Sequence, residues 1–135
     1  MSYSVSEIEG IGPAQQAKFK TAGITSVEQL LEKGATAKGR KELEELTNID
    51  AKTILRFVNH ADLFRINGIA GQFSELLEAA GVDTVNELKN RVPANLHAKL
   101  VEVNEKKNLV NQVPGLSQIE DFISQAKKMD PKVTH

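Results

Sequence analysis

The sequence holds no cysteine, which excludes disulfides and thiolate metal sites and fits a cytoplasmic protein. No apolar run approaches the roughly 20 residues needed to cross a bilayer, so no membrane partner is expected. The N-terminal stretch Met-Ser-Tyr-Ser-Val-Ser-Glu7 has neither a basic nor an apolar leader region, so no signal peptide is expected. No segment alternates apolar and polar residues in the manner of a strand. There is no phosphate-cradling Walker loop and no His-Glu-x-x-His. The histidines, His60, His97 and His135, are isolated from one another, and the first two read as helix-surface or capping residues. No metal site is expected. Without a nucleophile–base constellation the chain reads as a binding protein rather than an enzyme. Charge of one sign is missing too: 17 Lys and Arg stand against 18 Asp and Glu, for a formal charge of −1. A nucleic-acid ligand therefore needs local positive charge.

What is present is a demanding turn, Ile8-Glu-Gly-Ile-Gly-Pro13. Glycine permits positive φ and leaves room for a close partner. Proline at a first helical position is pre-set in φ and has no N–H to leave unsatisfied. The helix that follows starts with free N–H groups on Ala14, Gln15 and Gln16, a natural anion site for which phosphate is the obvious ligand. A degraded copy returns at Ile66-Asn-Gly-Ile-Ala70. Aligning the two stretches matches Gly10 with Gly68, Ala22-Gly23 with Ala80-Gly81, Val27 with Val85 and Leu30 with Leu88. The chain divides accordingly into halves at residues 1–64 and 65–129, with a frayed tail at 130–135.

Almost every segment reads as helix. Ser4-x-x-Glu7 forms a possible capping box. A helix spans residues 13–22 and stops at Gly23. Thr25-x-x-Glu28 caps a second, which Gly34 ends. A third covers residues 37–46, and Asp50 caps a fourth over 51–64. The second half repeats the plan, with one helix from Gly71 to Gly81 and another capped by Thr84-x-x-Glu87. Pro93 interrupts, a helix follows over 95–105, and Ser117-x-x-Glu120 caps the last. The fold class is all-α.

The stretch from Ile8 to Ile24 resembles a helix-hairpin-helix motif, and two such units resemble the double helix-hairpin-helix domain, with SAM-like halves packed as one helical unit. The whole chain is similar to a bacterial domain-of-unknown-function family of tandem helix-hairpin-helix character. Stretches carrying that resemblance include Ala37-Lys-Gly-Arg-Lys-Glu-Leu43, Val58-Asn-His-Ala-Asp-Leu63, Leu76-Leu-Glu-Ala-Ala-Gly-Val82 and Asn95-Leu-His-Ala-Lys99. The broader motif implies phosphate contacts from the backbone of Gly10, Ile11, Gly12, Ala14 and Gln15, with Lys18 and Lys20 as counter-charges. It also implies that the hairpin carbonyls can hold a monovalent cation. The family often has a small residue where this chain has Gln16.

The second hairpin departs from the motif. Ala70 replaces the second glycine, Gly71 follows so that the turn can shift by one residue, and no proline opens the next helix. The stretch 66–88 holds Glu75, Glu78, Asp83 and Glu87 and no Lys or Arg. This hairpin reads as structural or as a protein contact. Positive charge clusters at Lys38, Arg40 and Lys41, near a helix start where dipole logic prefers anions, so an external phosphate would relieve the mismatch. A second group is Lys89, Arg91, Lys99, Lys106 and Lys107, in which Lys99 and Glu102 are spaced for an ordinary pair. Phe19, Phe57, Phe64, Phe73 and Phe122 read as core, and only Tyr3 as an exposed aromatic. A superficial helix-turn-helix over Arg40–Val58 would offer Lys52, Thr53 and Arg56 to a groove, but Glu44 and Asn48 stand where small Ala and Gly are usual. Two functions compete: a module binding DNA without sequence preference through the first hairpin, and a protein-interaction scaffold that has lost the DNA surface.

Overall fold

Helix starts in this chain are set by groups that accept the first unsatisfied N–H donors. In the computed structural model, which describes residues 3–135, Ser26 caps α2 (Val27–Gly34), Thr36 caps α3 (Ala37–Thr47) and Thr84 caps α6 (Val85–Leu88). Met1 and Ser2, part of the expected first half, lie outside the described residues. The remaining α-helices are α1 (Pro13–Thr21), α4 (Ala51–Leu63), α5 (Gly71–Ala79), α7 (Pro93–Lys107) and α8 (Leu116–Lys127). A short 3₁₀ helix at Val5–Glu7 precedes them, and no strand occurs among the described residues. The chain is all-α.

Several caps fall one or two residues from where the sequence put them. Ser26 with Gln29, rather than Thr25 with Glu28, boxes the start of α2. Gly115, whose N–H donates to Gln118 at 2.9 Å, replaces Ser117 at the start of α8. Pro93 opens α7 instead of merely interrupting, because proline at N1 starts a helix as readily as it ends one. Gly34 ends α2 as expected, as its buried last residue and without a positive φ.

The helices fall into two units, Met1–Asp62 with Lys132–His135, and Leu63–Pro131. In the first, α1 and α2 both pack on α3. Its buried side chains include Val5, Ile8, Phe19, Leu30, Leu43 and Ile54, and the Phe19 and Phe57 rings meet edge to face at 6.2 Å. In the tail, the Thr134 N–H donates to the Ala35 carbonyl at 2.8 Å. In the second unit α7 packs on α5 and α8, around a core of Ile66, Leu76, Leu88, Leu100 and Ile119. Phe57, Phe64 and Phe122 are buried, and Phe73 packs partly buried against this core.

The turn hydrogen bonds of the two units recur 58 residues apart. Ile11 donates to Ile8 as Ile69 donates to Ile66, and Ile24 to Phe19 as Val82 to Leu77. Gly10 and Gly68 have φ of +97° and +101°, a region that only glycine occupies without strain. The second turn does not shift by one residue: Ser74 donates to Ala70 just as Gln16 donates to Gly12.

Glycines do three different jobs in the first unit. A Cβ on Gly39 would collide with the Lys33 carbonyl, so α2 and α3 approach only because that side chain is absent. A Cβ on Gly10 would lie 2.9 Å from Arg56 and 3.3 Å from Phe57, on a backbone already at positive φ. Gly12 has φ of −89°, and its nearest neighbour is the Gln15 side-chain oxygen at 3.5 Å. Gly39→Ala is therefore expected to destabilise most, by about 2 kcal/mol or more, since overpacking against backbone outweighs the roughly 1 kcal/mol of helix propensity gained. Gly10→Ala should follow at about 1–2 kcal/mol, and Gly12→Ala should lie within about 0.5 kcal/mol of the parent. Urea midpoints at constant slope measure the order; a Gly12→Ala change as costly as Gly39→Ala would refute it.

Candidate nucleic-acid interface

The first hairpin runs from the 3₁₀ helix into α1. Its N–H groups are partly engaged already. Ile11 donates to the Ile8 carbonyl at 3.1 Å, and Gly12 donates to the Gln15 side-chain oxygen at 3.2 Å. Gln16 makes the first intrahelical bond, to Gly12 at 2.9 Å, so it is not the free donor expected. Among the described residues no acceptor meets the N–H groups of Gly10, Ala14 and Gln15. Pro13 has no N–H to offer. Three donors thus remain at an exposed helix start, and a fourth is held only by a side chain that can swing away. Gln16 is exposed.

The cations expected around this turn separate. Lys18 and Lys20 are exposed in the last turn of α1, where they favour the negative end of its dipole. At 1.5 Å per residue Lys18 lies about 7.5 Å along the axis from Pro13, within reach of a side chain that leans toward the N-terminus. Lys38 and Lys41 are exposed early in α3. Arg40 does not join them. It is 5% exposed, and its guanidinium donates to the carbonyls of Gly34 at 2.8 Å, Ala35 at 3.1 Å and Thr134 at 2.6 Å. It caps the C-terminal carbonyls of α2, and burial lowers its pKa from the ordinary value. As folded, Arg40 therefore presents no face to a ligand at the first hairpin.

Arg56 of α4, which the sequence offers to a groove, reaches the hairpin instead, donating to the Glu9 carbonyl at 3.4 Å and lying over Gly10. Nothing local in the sequence links it to a turn 47 residues earlier. In the second hairpin the matching position is closed by a neutral group. Asn67 donates to the Gln125 side-chain oxygen at 2.8 Å and accepts from the Gln125 amide at 3.1 Å.

Other expected features resolve as architecture. Asn48 takes the left-handed conformation, with φ of 59°, and so does the work of the missing turn glycine. Glu44 accepts from the Ala51 N–H at 2.9 Å and Asp50 from the Lys52 N–H at 3.1 Å, so carboxylates already fill the start of α4. With Arg56 folded onto the hairpin, α4 is a poor recognition helix. Lys89 donates to Met129 at 2.8 Å, Arg91 to Gly81 at 3.0 Å, and Lys99 and Lys106 both approach Glu102. Four of the five cations in that second basic group thus lie against acceptors, and Lys107 is exposed. His60, expected on a helix surface, is 1% exposed, and Tyr3, expected exposed, is half-buried. Among the described residues no group of His, Asp and Glu could hold a metal ion, and no helix is long and apolar enough to cross a membrane.

The acidic character of the second unit has a local consequence. Burial first, then the Asp83 carboxylate and its hydrogen bond, raise the Glu87 carboxyl above the usual range, and Arg91 at 3.7 Å offsets this only in part. A carboxyl whose folded pKa is raised destabilises the fold when ionised; the penalty is present above the folded pKa and fades as pH falls through it. Glu87→Gln should thus raise the thermal midpoint at pH 7 and lose its advantage near the ordinary glutamate pKa of about 4.3. With the side chain 46% exposed, the gain should stay below about 1 kcal/mol. Melting curves of both proteins between pH 4 and 8 check the sign; a gain that grows on acidification would contradict it.

No curated protein and no solved structure matches the chain. The family model described as a domain of unknown function, DUF4332, matches residues 9–129. The match begins inside the first hairpin and ends two residues after α8, taking in all eight α-helices. The chain belongs to the DUF4332 family.

Proposed function

We propose that the two recurring turns are a tandem pair of helix-hairpin-helix motifs, and that the first binds a nucleic-acid backbone without reading sequence. The observation that carries this reading is Gly12. Its φ is extended, Ala70 holds the equivalent place in the second turn, and a Cβ there would meet only one flexible side chain. Neither backbone conformation nor packing asks for glycine at this position. What its missing side chain leaves is open space beside the N–H groups of Gly10, Ala14 and Gln15. A phosphate oxygen fits that description: it is anionic, small, and favoured at a helix N-terminus. Binding through main-chain donors explains the lack of base-reading side chains, since phosphate contacts position a protein without specifying sequence. Lys18, Lys20 and Arg56 supply the nearby charge, with Lys38 and Lys41 assisting from α3. No catalytic step is proposed, and a monovalent cation held by the hairpin carbonyls stays part of the resemblance alone.

The second reading, a protein-interaction module, is favoured by one specific contrast. The second hairpin has its Asn67 main chain closed on both sides by Gln125, and it lies in the stretch rich in Glu and Asp. We assign that turn to architecture or protein contact, and the DNA surface to the first unit.

Fluorescence anisotropy with duplex, single-stranded and branched DNA over a salt series tests the assignment. Affinity should be weak and fall with salt, with a slope near −0.9 per phosphate contacted and only about two or three contacts. Gly12→Asp should weaken binding by about tenfold or more, through like-charge repulsion at the seat, while the helical circular dichroism stays unchanged. An absence of salt-dependent binding at low ionic strength would leave the protein-contact reading standing in its place.

A further inference from the structure

Every acceptor that the buried Arg40 guanidinium touches is a neutral carbonyl: Gly34, Ala35 and Thr134. Among the described residues no carboxylate lies within ion-pair distance of it. A buried cation without an anion carries a desolvation penalty that carbonyl dipoles offset only in part. Two of its acceptors belong to the end of α2 and cannot leave without unwinding that helix. The third is different. Thr134 belongs to the strap Lys132–His135, in which only Val133 is half-buried and the other residues are exposed. Among the described residues the other partner of Thr134 is the Ala35 carbonyl, which accepts from the Thr134 N–H at 2.8 Å and from its hydroxyl at 3.4 Å. Nη2 of Arg40 is thus closed by a carbonyl on a segment that, Val133 apart, is exposed. Lys38 and Lys41, both exposed, flank Arg40 on α3.

We propose that Arg40 is a phosphate seat held shut by the strap Lys132–His135, and that a phosphate group displaces the Thr134 carbonyl from the guanidinium. A guanidinium offers paired donors in a planar fork that suits two phosphate oxygens, and an anion supplies the charge that Thr134 lacks. Lys38 and Lys41 give the local field that draws an anion to this corner of α3. The seat does not depend on the reading of the first hairpin, because its ligand-side groups are Arg40 and the α3 lysines alone.

The intact chain provides the primary test. Titrated with inorganic phosphate, it should show faster hydrogen exchange at the Thr134 amide and a saturable shift of the Arg40 Nε resonance. A chain ending at Pro131 should bind phosphate about tenfold more tightly, the change expected when one competing charge-assisted hydrogen bond is removed. That gain would run against the loss of the Lys132 charge. Thr134→Pro, which removes the N–H bonded to Ala35 and keeps every charge, should act in the same direction. A short DNA oligonucleotide titrated in parallel identifies the source of the phosphate: saturation at lower phosphate concentration than the free ion assigns the seat to a phosphodiester, and the reverse assigns it to free phosphate. Gly12→Asp should leave the gain in place, which separates this seat from the hairpin. Thr134 exchange that does not change under excess phosphate overturns the proposal, whether or not the shortened chain folds. Folded Pro131-ending and Thr134→Pro chains that bind no better than the parent also overturn it.

Discussion

Short helices have many ends, and each end must satisfy main-chain groups that no turn of its own can reach. Eight α-helices of 4 to 15 residues among the described residues make that the governing constraint. Most of its distinctive polar residues answer to it. Ser26, Thr36 and Thr84 accept at helix starts, and Gln15, Gln29 and Gln118 reach back from the third helical position. Lys33 and Arg91 donate to the carbonyls of Ala22 and Gly81, which close α1 and α5 in the same way. Asn48 and Asn108 turn left-handed so that α3 and α7 can stop.

That constraint also decides the electrostatics. A near-neutral chain with 17 cations has positive charge to offer a ligand only if helix ends do not absorb it. Here they absorb a good part. Arg40 closes α2, Lys89 holds the carbonyl that follows α8, and Arg65 reaches Asp130. The cations left at the surface of the first unit are mainly Lys18, Lys20, Lys38, Lys41 and Lys52. A ligand that relied on many phosphate contacts would find too few partners, so the charge pattern fits a shallow grip on one stretch of backbone.

How much of this could be read in the sequence follows from the same physics. Helix number, the positive-φ glycines and the aromatic core come from local rules, and each was legible: Gly23 and Gly81 stop helices, and Phe19 and Phe122 fall on apolar faces. Cap positions slipped because Thr25-Ser26 and Gly115-Leu116-Ser117 offer neighbouring candidates and only tertiary context selects one. The fate of the charges was not legible. Arg40 sits in a basic triplet that looks solvated, and only the return of Thr134, 94 residues later, reveals an interior group. His60 misled for the same reason: periodicity locates a face, not what covers it.

The two hairpins differ most in the group that closes them. Gln125 carries both a donor and an acceptor, so it can engage the N–H and the carbonyl of Asn67 together, and it does. Arg56 carries donors only. It can close the Glu9 carbonyl, but it cannot accept from any N–H of the turn. Gln125 accepts only from Asn67, so among the described residues the N–H groups of Gly68, Ala70, Gln72 and Phe73 meet no acceptor either. The turns therefore differ less in open N–H groups than in what stands beside them. The first has the cation Arg56, and the second has a neutral amide in a stretch rich in Glu and Asp. With turn hydrogen bonds that recur 58 residues apart, the contrast lies in charge, set by one side chain beside each turn.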